Sequence, residues 1–181
     1  MIEITAEQIE RVQKLVEGVK NGPHRVFYNA VNRGLSKIRS ESAKEASSVF
    51  TISQSTIKSN SKTAQTNVSQ GENVIGQVKL SGNMIPLFKF KVSGSHKQGL
   101  KVQVKRGGGG TLNHAFTANL GHGTNVLERV TNSRTPTETI FGPSAAHMVG
   151  HPDVVPNIEE EAQKVVNERI DHEIERLLNG Y

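Results

Sequence analysis

The sequence predicts an α+β fold: two N-terminal helices, an antiparallel β-sheet meander of about four to five strands, and a long C-terminal helix packed on the sheet. Three observations carry this expectation. Apolar residues recur at helical spacing before residue 50 and after residue 153. Between them, short runs alternate apolar and polar residues, and turn-forming glycines punctuate those runs. A length of 181 residues fits one domain, 1–181, with the helices as its flanks.

The first helix is expected within residues 1–22. Thr5-Ala6-Glu7-Gln8 has the spacing of a capping box, with Gln8 three residues after Thr5. Ile9, Val12, Leu15, Val16 and Val19 then recur on one face, and Asn21-Gly22 ends the run. A longer helix is expected over 23–50, with Pro23 in its first turn. Phe27, Val31, Leu35 and Ile38 form its buried stripe, continued by Ala43, Ala46 and Val49.

Residues 51–73 are dominated by Ser, Thr, Asn and Gln, with Ile52, Ile57 and Val68 as the large aliphatics. So polar a run reads as an arm or an extended segment ordered by a neighbour. The sheet is expected over 74–141. Its strands begin at Val74, and the run Ile85–Val92 alternates from Leu87 onward with Lys89 and Lys91 on one face. Leu100, Val102 and Val104 alternate with Lys101, Gln103 and Lys105. Ala115–Ala118 and Asn125–Val130 read as two more strands around Gly121-His122-Gly123. The last helix is expected over 153–179, with Asp153 as N-cap and Pro156 in the first turn. Ile158, Ala162, Val165, Val166, Ile170, Ile174, Leu177 and Leu178 form its stripe, and Asn179-Gly180 closes it.

Charge is sorted along the chain. Residues 1–22 hold three Lys/Arg against four Asp/Glu, residues 23–141 sixteen against five, and residues 142–181 three against eight. The regional nets of −1, +11 and −5 give the overall +5. A basic middle with acidic ends implies one surface for an acidic partner or polyanion and another for something basic, a second copy included. Lys89, Lys91, Lys101 and Lys105, with Arg106, are the candidate basic interaction surface. Glu161, Glu168 and Glu175 are the candidate acidic interface on the last helix. Aromatics make up only 4 % of the chain and Trp is absent, so burial is expected to be completed against other subunits.

The sequence argues against an enzyme, and catalytic, cofactor and metal residues are all expected to be none. Cysteine is absent, which removes disulfides and thiolate chemistry. Arg106 precedes Gly107–Gly110, but Thr111-Leu112-Asn113 lacks the Lys-Ser/Thr of a phosphate loop. Gly142-Pro143-Ser144 lacks the frame of a nucleophile elbow. His147 and His151 are four apart, but Gly150 and Pro152 flank His151 and break the helical face that would pair them. The N-terminus has neither a basic region nor an apolar core of a signal peptide, and no run reaches the ~18 apolar residues of a membrane span. Two functional classes remain: a structural assembly protein, and a non-enzymatic nucleic-acid-binding module using the basic middle.

Several fragments decide between them by resemblance. Ala30-Val31-Asn32-Arg33 is similar to an Ala-x-Asn-Arg signature in the long helix. Gly82-Asn83-Met84-Ile85-Pro86-Leu87-Phe88-Lys89-Phe90 resembles a G-x-x-I-P-L-x-x-F hairpin. Ala115-Phe116-Thr117-Ala118 and Val126-Leu127-Glu128-Arg129 follow, and Ile140-Phe141-Gly142-Pro143-Ser144 with Met148 resembles an I-x-G-P-S-x-x-x-M element before the final helix. In this order, across residues 25–178, they resemble the minor tail protein Z family of tailed bacteriophages, the tail completion proteins. The resemblance implies a virion protein at the head-proximal end of the tail, assembled in the host cytoplasm. Its implied partners are itself in a ring, with six copies by analogy, the tail tube protein, neck or connector proteins, and a sheath or terminator neighbour. DNA would meet it only in passage, and no membrane is implied.

Overall fold

The computed structural model describes residues 4–66, 75–95, 98–119, 121, 123–131 and 133–180. Val68, Val74 and His122 lie outside them. Five helices are described: α1 (Ala6–Leu15), α2 (Gly22–Val49), α3 (Gln54–Ser59), α4 (Ala145–Val149) and α5 (Val155–Leu178). The strands are β1 (Ser61–Thr66), β2 (Ile75–Leu80), β3 (Met84–Pro86), β4 (Lys91–Ser95), β5 (Gly99–Gln103), β6 (Gly110–Leu112), β7 (Ala115–Asn119), β8 (Thr124–Arg129), β9 (Thr137–Thr139) and β10 (Phe141–Ser144). The α+β class is as expected. The chain forms two compact units, one of residues 1–42, 61–79 and 155–181 and one of residues 43–60 and 80–154.

The first unit is built by three helices. At the start of α1 the Gln8 N–H donates to Thr5 Oγ1 at 3.3 Å and the Thr5 N–H to Gln8 Oε1 at 3.0 Å, the reciprocal box expected from the sequence. Val12 and Val16, with Val26, Phe27 and Ala30 of α2, pack against Val166, Ile170, Ile174 and Leu177 of α5. A Cβ added at Gly34 would sit 2.6 Å from Val166 Cγ2, so α2 and α5 run as close as backbone and side chain allow. Apart from Val165, which is half-buried, and Leu178, which is 56 % exposed, the α5 stripe is buried as expected, and the partners described for Val166, Ile170, Ile174 and Leu177 are α1 and α2. Asp153 is not the residue that starts α5, which begins at Val155.

The second unit is built from short strands. The described strands form four small sheets, β1-β2 in the first unit and β10-β3, β4-β5-β6 and β7-β8-β9 in the second, where one meander was expected. The interruption lies at Pro86. The chain turns there into a 3-10 turn, Leu87–Lys89, instead of continuing as a strand. β3 then pairs antiparallel with the distant β10, Phe141 opposite Pro86 and Gly142 opposite Ile85. Gly142 is required by this pairing, because a Cβ there would lie 2.6 Å from Phe90 Cε2. The polar stretch after residue 50 is also not an arm in its first part. Ser53 accepts from the Thr56 N–H and caps α3, and Ile52 and Ile57 are buried.

Candidate interaction surfaces

In β4-β5-β6 the register sets Lys91 opposite Gln103, Ser93 opposite Lys101, and Lys101 opposite Thr111. Cross-strand partners project to the same side, so Lys91 and Lys101 share one exposed face. The other expected members are elsewhere. Lys89 is exposed but sits in the 3-10 turn. Lys105 forms a β-bridge to Phe50 and places Nζ 3.2 Å from Asp153 Oδ2. Arg106 is held to the end of α2: its N–H donates to Val49 O at 2.8 Å and its Nε to Ser47 O at 3.1 Å. The expectation that four lysines share one face thus reduces to a pair. The alternation of Lys89 with Lys91 was a strand signal that the Pro86 turn cancels, and Lys105 lies beyond the end of β5.

On α5 the three predicted carboxylates also divide. Glu161 Oε1 lies 3.0 Å from Lys37 Nζ, which also reaches Glu41 Oε1 at 3.1 Å. Hydrogen bonds to Glu161 and then Glu41 hold the Lys37 ammonium above its ordinary pKa of 10.5. Glu168 and Glu175 are exposed, and neither is in an ion pair among the described residues.

Sequence reasoning missed Glu173, the most buried charged side chain described, at 1 % exposure. Its Oε2 accepts from Asn29 Nδ2 at 2.9 Å and from Arg176 Nε at 2.9 Å, and Arg169 Nη2 closes on Oε1 as an ion pair. Burial alone would raise its pKa, but the Asn29 hydrogen bond and the charges of Arg169 and Arg176 outweigh that and hold it below 4.5. This cluster ties α5 to α2 within the first unit. A signal was present: Glu173 follows Ile170 by three and precedes Leu177 by four, on the apolar stripe, with arginines four before and three after.

Two of the fragments that carry the family resemblance in the second unit, Gly82–Phe90 and Ile140–Ser144, are hydrogen-bonded partners in the β3–β10 ribbon. The Leu87 N–H donating to Ile140 O at 3.0 Å extends that pairing. A family profile described as prophage minor tail protein Z matches residues 9–181. The chain belongs to the prophage minor tail protein Z family. As a member of this minor tail protein family it is a phage tail structural protein, associated with the virion. The match takes in α1 from Ile9 onward as well as the fragments that carry the resemblance. No curated protein and no solved structure gives a match to the chain. Among the described residues no helix is long and apolar enough to cross a membrane, and no group of three or more His, Asp or Glu could hold a metal.

Proposed function

We propose that this minor tail protein completes the tail as a closed ring at the head-proximal end, capping the tail tube and joining it to the neck. The observation that carries the reading is charge that finds no ion-pair partner among the described residues. Lys91 and Lys101 present one cationic face, and Glu168 and Glu175 an anionic one. Oppositely charged surfaces on different parts of one chain suit head-to-tail association, which generates a ring when the rotation closes. The role is structural and non-enzymatic, the copies make the ring, and tail tube and neck proteins are its other partners. Light scattering of the purified chain, alone and with isolated tail tubes, tests this. A defined oligomer that binds tube ends supports the reading; a monomer in both conditions that binds duplex DNA with a steep salt slope overturns it in favour of nucleic-acid binding.

A further inference from the structure

The β3–β10 ribbon has two unlike faces. On its inner face Ile85 is buried and the Phe90 ring lies against Gly142. On its outer face Met84 and Pro86 alternate to the same side, and Phe141 stands opposite Pro86. Met84 is 68 % exposed and Phe141 48 %, large apolar side chains left in solvent on a two-stranded ribbon. Lys89 and Lys91, both exposed, stand three and five residues after Pro86 in the chain that leaves β3.

The exposed side of α5 is its counterpart. Glu168, Glu175 and Leu178 lie at i, i+7 and i+10, which places them in one stripe along the helix. Leu178 is 56 % exposed at the end of that stripe. One surface is thus apolar with cations in the segment that follows it, and the other is anionic with an apolar tip.

We infer that the β3–β10 ribbon of one copy receives the Glu168–Leu178 stripe of α5 from a second copy, with Met84 and Phe141 packing on Leu178 and the lysines facing the glutamates. The occupant is a second copy because the chain itself supplies the complementary charge and the apolar tip. The two surfaces differ, so the contact is heterologous and adds subunits head to tail. The inference rests on the ring reading above and assigns its contact.

Sedimentation velocity over a concentration series tests it, on the wild type, Lys89→Glu/Lys91→Glu, Glu168→Lys/Glu175→Lys, the fourfold swap, and Met84→Ser/Phe141→Ser. All six substituted positions are exposed, so circular dichroism melts should match the wild type. Each double variant should associate about tenfold or more weakly, and the fourfold swap should restore association. Variants that all assemble like the wild type overturn this contact and leave the ring reading standing. A fourfold swap no better than either charge double likewise overturns it. A wild type that stays monomeric with and without tail tubes overturns both.

Discussion

The two units reach stability by different routes. The helical unit is held by side chains: nine buried residues form one continuous cluster, and Glu173 is tied to Asn29 and Arg176. The strand-rich unit also buries apolar side chains, Leu100, Val126 and Met148 among them, and adds backbone pairing between segments far apart in sequence. The Thr51 N–H donates to Val104 O at 2.8 Å, Arg106 N–H to Val49 O at 2.8 Å, and Ala146 N–H to Ser81 O at 3.2 Å. Substitutions should therefore hurt in different ways. In the first unit the identity of buried side chains decides stability. In the second, room for the backbone matters as much.

The largest effect is expected from Ile170→Asp, at 3 % exposure in the helical cluster. An unpaired carboxylate there costs several kcal/mol or more, of the order of a whole domain's stability. Loss of a cooperative melt by circular dichroism is the expected result, and a normal melt would show that α5 is not seated on α1 and α2. Next comes Glu173→Ala, which strands Arg169 and Arg176, each about a third exposed, and should cost about 1–3 kcal/mol. Glu173→Gln makes the pH dependence readable. Because the folded pKa lies below 4.5, the unfolded chain binds more protons between the two values. Wild-type stability from this group is therefore present above 4.5 and is lost as pH falls through the folded value. Melting temperatures taken from neutral pH down into that range should fall less steeply in Glu173→Gln than in the wild type.

In the strand-rich unit the comparison sharpens at Gly142→Ala. The added methyl meets the Phe90 ring at 2.6 Å, and overpacking of this kind costs roughly 1–3 kcal/mol. Phe90→Leu in the same chain should recover part of it, and urea melts of the single and double variants measure the coupling. The smallest effect is expected from Lys105→Ala. Its ion pair with Asp153 is half exposed, so the loss should stay within about 1 kcal/mol. A larger loss would mean that the ion pair, and not the backbone pairing, fixes this loop.

The same contrast explains what the sequence disclosed. Helical stripes are local: Phe27, Val166, Ile170 and Ile174 announce burial by spacing alone, and the Thr5 cap by its box. What α5 packs against was not legible, because a stripe states that it needs a partner and not which one. In the second unit the strands β7 and β8 were legible from alternation. The pairing of β3 with β10 was not, since nothing local to Met84–Pro86 points to residues 141–144. The basic surface suffered similarly: composition revealed the cations, but the Pro86 turn and the Asp153 contact decided which of them stay together. Glu173 was overlooked because a charge on an apolar stripe reads as an exception until Asn29 is seen beside it.

Electron microscopy of antibody-labelled virions looks straight at the proposed closed ring at the head-proximal end of the tail. Label confined to the junction of head and tail, with ring-shaped density there, is the predicted result. Label spread along the tube or gathered at the distal tip would contradict it.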